Sequence, residues 1–164
     1  MTHLVLDPRL DGERHINVWS RGVTVLGRLL SNFSHTPFVH PRLGPFESME
    51  GYWYWLASGC QYEELREVWG LLAKQLGRRY SKALVGNFEE LICEGIYHKV
   101  LQTPGLVQRL AHSTLPLYHY YWFGNLENGK YKIVTPYSGH FQMEYLEDLR
   151  FHLRHLEGIK VYTF

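Results

Sequence analysis

Helical spacing of hydrophobic residues in the middle of the chain predicts two consecutive helices. Ser48 is a suitable N-cap for a helix from about Met49 to Ser58, which Gly59 ends. A second, amphipathic helix is predicted near 62–76, because apolar residues recur there at intervals of three and four. The residues of this stripe, which Gly77 follows, are Leu65, Val68, Trp69, Leu72 and Leu76.

Three further helices are predicted in the second half of the chain. Asn87 with Glu90 three residues later resembles a capping box, and Leu91, Ile92, Ile96 and Val100 form the buried stripe of the helix that follows. Pro104 suits the first position of a short helix that runs to about Ala111. A last long helix is predicted from about Gly139 to His155.

The first third of the chain has the pattern of short strands. Runs at 15–19 and 23–26 are rich in β-type residues, and 20–22 is a plausible turn between them. Asparagine, proline and glycine punctuate 31–44, which predicts a structured loop.

A hairpin is predicted near the C-terminus from 117–123 and 130–135, joined across Asn128-Gly129. Residues 159–164 are predicted as a closing strand. The fold class is therefore α+β, helix-rich with a few short strands, in one domain over residues 1–164; the order of the strands is not predicted.

Composition narrows the functional classes. The net charge of +1 argues against a duplex nucleic-acid surface or an anionic-membrane surface, although a local basic pocket for phosphate stays open. No run of 18 apolar residues and no signal peptide is present, so a cytoplasmic protein is expected. Cys60 and Cys93 lack a CxxC pattern and are expected to be free thiols.

Glu50 is the most informative ionisable residue. It falls in the first turn of a predicted helix, with Trp53 and Tyr54 three and four residues later on the same face. One interpretation is a solvated carboxylate that the helix dipole favours. The other is a carboxyl enclosed by rings, whose raised pKa would suit it to proton transfer.

Asn32 and a basic cluster have similar alternatives. Asn32 in a Ser-Asn-Phe context is a turn former or a ligand for a ribose hydroxyl or base edge. A basic cluster lies at a predicted helix end and consists of Lys74, Arg78, Arg79 and Lys82. These side chains either interact favourably with the helix dipole at its C-terminus or bind a diphosphate group.

Other cofactor and motif classes have no support. His152 and His155 are spaced to share a helix face, but no acidic partner stands at ligand spacing, so no metal is predicted. No phosphate-binding glycine loop, dinucleotide fingerprint or hydrolase elbow occurs, and no cofactor is predicted.

Six short stretches match the motifs of a known family, in that family's order, over residues 27–146. The first two are Leu30-Ser31-Asn32-Phe33-Ser34, similar to a phenylalanine-serine-asparagine-phenylalanine signature, and Phe46-x-Ser48-x-Glu50-x-Tyr52, similar to an aromatic residue before Thr/Ser-x-Glu-x-Tyr. The other four are Ala73-x-x-Leu76-Gly77-Arg78, Asn87-Phe88, Trp122 before Gly124, and Gly139-x-x-x-Met143. The chain thereby resembles the NADAR (YbiA-like) N-glycosidase family.

The resemblance implies a compact helix-rich α+β fold and a pocket for a ribose N-glycoside. It places Asn32 and Phe33 at the pocket wall, Glu50 as the catalytic carboxylate and Trp122 as a stacking ring. The remaining substrate-binding residues are expected to be Trp53, Tyr54, Arg78 and Gly124.

Three departures from the family pattern bear on catalysis. Ala57 stands where the family usually carries lysine, seven residues after the glutamate. Trp122-Phe123-Gly124-Asn125 replaces the family's tryptophan-glycine-aspartate, and Gly129-Lys130-Tyr131-Lys132 is a reduced form of its basic glycine-rich stretch.

Three functional hypotheses follow. The first is an N-glycosidase-like hydrolase of an ADP-ribosyl or phosphoribosyl compound, with Glu50 as general acid/base. The second is a catalytically silent binder, or sink, of an NAD-derived nucleotide such as ADP-ribose, which could serve in a conflict between phage and host. The third is an interaction protein that kept only the fold. The expected partner is a small-molecule nucleotide or an ADP-ribosylated nucleobase, and the sequence does not predict the oligomeric state.

Overall fold

Two long helices form the centre of the fold in the computed structural model, which describes residues 6–156. Helix α4 (Phe88–Gln102) packs against α6 (His140–Leu156), α2 (Met49–Ala57) and α5 (Leu106–His112). The shorter helices α1 (Val25–Leu30) and α3 (Gly70–Gly77) lie outside them, against α5 and α2 respectively. The buried core is apolar and centres on α2 and α4.

Six short strands form three two-stranded sheets in the described residues. Their bounds are β1 (Ile16–Asn17), β2 (Phe38–His40), β3 (Gly44–Phe46), β4 (Leu117–Tyr118), β5 (Tyr121–Asn125) and β6 (Lys130–Val134). β1 pairs in parallel with β4, whereas β2–β3 and β5–β6 are antiparallel. The α+β, helix-rich class predicted from the sequence is confirmed.

The start of α2 is fixed as the sequence predicts. The Ser48 hydroxyl accepts a hydrogen bond from the Gly51 amide at 3.0 Å and donates to the carbonyl of Val68 at 2.8 Å. Gly51 packs directly on the carbonyl of Leu65, where a side chain would overlap backbone. The cap and this close contact together fix the direction of the first turn, which carries Glu50.

Asn17 joins the N-terminal part of the chain to the stretch before β5. Its side-chain amide donates to the carbonyl of Tyr120 at 3.0 Å and accepts from the Tyr120 amide at 3.2 Å. Because both groups of a buried amide are satisfied, this clamp fixes the register between β1 and the chain on either side of Tyr120. His119 is thereby placed beside Val18, and Tyr121 beside Trp19.

Two sequence predictions are wrong in the first half of the chain. Residues 23–26 do not form a strand, because the Thr24 hydroxyl caps α1 by accepting from the Gly27 amide at 2.9 Å. The predicted helix near 62–76 is divided into a 3₁₀ turn (Glu63–Glu67) and α3. Val68 and Trp69 between them are extended, and Gly70 has a φ of +58°, which continuous α-helix does not allow.

The other predictions differ in their bounds. The 31–44 segment is a loop only in part, because β2 and the start of β3 lie in it. Pro104 precedes α5, and Gly105 with a φ of +75° takes the N-cap. The β5–β6 hairpin is confirmed, although Leu117 and Tyr118 pair with β1 and residues 119–120 precede the hairpin. The strand predicted at 159–164 lies outside the described residues.

Candidate functional site

A cleft of about 270 Å³ opens between α2, α3, α6 and the β5–β6 hairpin. Seventeen residues from five helices, from β5 and from the loops between them line it, so no single stretch of sequence encodes the site. The residues that could act chemically are Arg21, Asn32, Glu50, Lys74, His119 and Tyr121. The volume suits a group the size of a nucleoside, with the remainder of a larger ligand outside.

Glu50 occupies the second position of α2 and its side chain is half-buried at the cleft. Burial raises the pKa of its carboxyl from 4.5 to about 7, and the positive charges of Lys74 and Arg78 oppose this rise. Within residues 6–156 no hydrogen bond to the carboxylate compensates for the loss of water, and the two positive charges offset it only in part. The helix dipole favours the charged form, but desolvation outweighs it here.

The loop at 31–33 is attached to the first turn of α2. The Glu50 amide donates to the carbonyl of Asn32 at 2.9 Å. Below the loop, the fully buried Lys99 donates from Nζ to the carbonyl of Ser31 at 2.8 Å, and burial lowers the pKa of Lys99 to about 7. These two bonds hold Asn32 and Phe33 at the cleft wall.

Two cations line the cleft without an anionic partner among the described residues. Lys74 extends from α3, and its Nζ lies 5.7 Å from the centre of the Phe33 ring. Arg21 also lines the cleft, with its guanidinium carbon 5.8 Å from the centre of the Trp19 ring. Unpaired cations beside one carboxyl give the cleft an excess of positive charge, which suits an anionic ligand.

Aromatic rings form much of the remaining wall. Trp19 and Tyr121 meet edge to face at 5.8 Å, and Phe33 and Phe123 complete the apolar surface. Phe123 is 56% exposed, which leaves a ring face free at the mouth of the cleft. Burial raises the pKa of Tyr121, and the nearby charge of Glu50 adds to the rise. Rings in this arrangement can stack on a planar group.

His119 lies at the same cleft with one ring nitrogen engaged. Its Nδ1 lies 2.7 Å from the carbonyl oxygen of Val18, and its ring meets Tyr121 edge to face at 5.0 Å. Burial lowers the pKa of His119, against the hydrogen bond to Val18, which raises it. The imidazole is therefore favoured in its neutral form.

Three of the residues predicted from the sequence come together in this cleft: Asn32, Phe33 and Glu50. Arg78 is exposed outside the cleft lining, although its charge still acts on the Glu50 carboxyl. Tyr54 packs its ring on Gly77, which brings α3 close to α2.

Trp53, Trp122 and Gly124, which were expected at the substrate, do not line this cleft, and neither does Tyr54. Trp53 packs between α4 and α6, with its ring centre 4.8 Å from Phe88. Side chains alternate along a strand, so Tyr121 and Phe123 face the cleft and Trp122 projects from the other face of β5. Gly124 has a φ of +122° and packs directly against the backbone of β6, where a side chain would overlap the carbonyl of Lys130.

Sequence reasoning missed His119, Arg21, Trp19, Tyr121 and Phe123 as cleft residues. Lys74 was recognised in a basic cluster but not in the predicted site. The alternation of side chains along β5 could have identified Tyr121 and Phe123, because it separates them from Trp122. No local pattern indicates His119 or Arg21, which the long-range pairing of β1 with β4 brings to the cleft.

Two further findings concern metals and membranes. The part of the chain from 6 to 156 holds no group of three or more His, Cys, Asp or Glu side chains placed to bind a metal ion. Over the same residues, no helix has both the length and the hydrophobicity that a membrane span requires.

Comparison with known proteins gives a structural likeness only. No protein-family model and no curated protein matches the sequence. The NMR structure of the E. coli protein YbiA is similar in three dimensions, with a TM-score of 0.62 over 96% of this chain and 98% of YbiA. The sequences are 20% identical, a level at which the likeness concerns the fold and not the chemistry. The chain has a YbiA-like α+β fold.

Proposed function

We propose that this protein is an N-glycosidase-like hydrolase that acts on an ADP-ribosyl or phosphoribosyl N-glycoside. The observation that carries the proposal is the Glu50 carboxyl, with a pKa of about 7, in a cleft with aromatic walls. A group that titrates near neutral pH can both give and take a proton there. The ordered motifs that resemble the NADAR family support the same activity, and the YbiA-like fold agrees with that resemblance.

The cleft residues match the parts of such a ligand. Phe33, Tyr121 and Phe123 offer ring surface to a planar base, and the Asn32 amide can bond ribose hydroxyls. Lys74 and Arg21 suit one or two phosphate groups, since no carboxylate in residues 6–156 pairs with either of them.

Lys74 also bears on the loss of the family's lysine at Ala57. Ala57 ends α2, whereas Lys74 enters the cleft from α3 and its charge acts on the Glu50 carboxyl. A cation from a different helix thus supplies the positive charge near Glu50. In this protein we therefore assign the role of the family's lysine to Lys74.

The chemistry follows from the state of Glu50. In its protonated form the carboxyl donates a proton to the leaving nitrogen as the bond to the ribose anomeric carbon breaks, and the electron pair of that bond leaves with the nitrogen. The carboxylate that remains stabilises the oxocarbenium-like charge on the sugar. Water then supplies a hydroxyl group to the anomeric carbon, and the proton that water loses restores Glu50 by the end of the cycle.

The test is incubation of the protein with NAD, cyclic ADP-ribose, ADP-ribosylated guanosine and aminopyrimidine phosphoribosides, followed by mass spectrometry. Wild type should release a free base from at least one compound, and Glu50→Gln should lower the rate by about 100-fold or more. Glu89→Gln is the matched control, because Glu89 holds the same second position in α4 but is exposed. An equal loss in both variants, or none in Glu50→Gln, would contradict the assignment.

A second candidate is a catalytically silent binder of an NAD-derived nucleotide. It is favoured by one observation: among the described residues that line the cleft, Glu50 is the sole carboxyl group. Many sugar hydrolases use two carboxylates. Calorimetric binding of ADP-ribose to wild type and Glu50→Gln with similar affinity, without turnover of any compound above, would support this candidate.

A further inference from the structure

The tautomer of His119 is fixed by its neighbour. The atom opposite Nδ1, at 2.7 Å, is the carbonyl oxygen of Val18, which can only accept a hydrogen bond. Nδ1 therefore carries the proton, and in the neutral ring Nε2 keeps its lone pair. A neutral imidazole of this kind is the usual form of a histidine general base.

The ring is also fixed in position. Tyr121 contacts it edge to face, and Gly139 lies against its other side, where a Cβ would stand only 2.8 Å from Cδ2. A side chain at position 139 would displace the ring, so glycine there allows the observed orientation. Burial keeps the imidazole neutral, in the form that accepts a proton.

His119 and Glu50 line the same cleft from different elements, with Tyr121 adjacent to both. We propose that His119 is the general base that activates water in the hydrolysis proposed above, while Glu50 acts as the general acid. This inference rests on the proposed function and adds the second proton-transfer group that a single cleft carboxyl lacks.

Nε2 of His119 takes one proton from water, and the hydroxide so formed bonds to the anomeric carbon. The bond from that carbon to the base nitrogen breaks, its electron pair goes to the nitrogen, and the nitrogen takes the proton of Glu50. The imidazolium then returns its proton to the Glu50 carboxylate through solvent, which restores both groups.

Several charged or titratable groups surround His119 and shape its pH dependence. In the cleft these are Glu50, Lys74, Arg21 and Tyr121. Beyond Gly139 a second cavity, which His119 also borders, carries Tyr118, His140, Glu144 and Glu147. A bell-shaped profile of kcat/KM is expected, with the acid limb from His119 and the alkaline limb from Glu50 near pH 7.

The test compares His119→Asn with wild type on the compound that wild type hydrolyses. Asparagine can still donate to the Val18 carbonyl, as Nδ1 does, but has no base in the place of Nε2. We expect kcat to fall by about 100-fold with KM within about threefold, loss of the acid limb, and partial rescue by free imidazole. His140→Asn, an exposed site beside the second cavity, should behave as wild type.

A kcat within about threefold of wild type in His119→Asn, or an acid limb that persists there, would overturn the inference while the proposed function stands. An inactive wild type would refute both. Nitrogen-15 NMR of the unmodified protein tests the tautomer without any substitution: a proton on Nε2 of His119 in the neutral ring would overturn the inference, and a proton on Nδ1 supports it.

Discussion

Replacement of Glu50 by glutamine should stabilise the fold at alkaline pH. Folding moves this carboxyl from water, where its pKa is 4.5, to a cleft where burial raises the pKa to about 7. At about 1.36 kcal/mol per pKa unit, this change means that an ionised Glu50 lowers the free energy of unfolding by about 3 kcal/mol. Glutamine has nearly the same shape and no charge, so it removes this cost.

The gain has a defined pH dependence. Between pH 4.5 and about 7 the folded state keeps the Glu50 proton while the unfolded state has lost it, so wild type becomes less stable as pH rises. Below pH 4.5 both states are protonated and the cost vanishes; above pH 7 the cost is complete. The stability of Glu50→Gln relative to wild type should therefore rise by about 2.5 kcal/mol from pH 5 to pH 8.

Urea unfolding at pH 5, 6, 7 and 8 measures this difference, because other titrating groups cancel between two variants. Glu89→Gln is the control, because it removes a charge from the second position of a helix, as Glu50→Gln does, but from an exposed side chain. It should lower the free energy of unfolding by a few tenths of a kcal/mol at every pH in this range. A Glu50→Gln difference that does not change between pH 5 and 8 would refute the burial of a titrating carboxyl.

Three further predictions follow from the same structure. Burial lowers the pKa of Lys99 from 10.5 to about 7, so Lys99→Met should be more stable than wild type near pH 7, with a gain that shrinks towards pH 10; a constant gain in urea unfolding contradicts this. Lys74→Met should weaken ADP-ribose binding about tenfold in calorimetry, with little effect on an unphosphorylated nucleoside; an equal loss for both ligands contradicts a phosphate contact. Gly77→Ala places a methyl group in the Tyr54 ring and should cost about 1–3 kcal/mol in thermal unfolding, whereas Gly86→Ala, in open space, should be tolerated; similar effects of the two contradict the packing.

Local sequence signals predicted the elements that have a clear N-cap, an uninterrupted hydrophobic periodicity or characteristic turn residues. Ser48 bonds the Gly51 amide as an N-cap does, and α2 runs close to its predicted bounds. The long helix α6 and the β5–β6 hairpin were likewise predicted, because their periodicity and turn residues depend on near neighbours only. The resemblance of short motifs also indicated the fold, and the likeness to YbiA agrees with it.

Predictions failed where a distant contact competed with a local pattern. The apolar stripe near 62–76 has helical spacing, yet only Leu65 among its five members is fully buried. Gly70, with its positive φ, and the contacts of 65 and 68 with α2 divide the segment into two elements. Propensity is a weak guide wherever tertiary contacts of this kind decide the backbone.

The sequence by itself determined the fold class, the cap and direction of α2, and the choice of Glu50, Asn32 and Phe33 as candidates. Only the tertiary structure decided that the Glu50 carboxyl is desolvated, that Lys74 is near it, and that His119 lines the same cleft with its Nδ1 held by the Val18 carbonyl. The physical reason is that desolvation and charge act through space. The groups that set the chemistry of Glu50 lie 24 to 69 positions later in the sequence, a separation that no periodicity of 2 or 3.6 residues encodes.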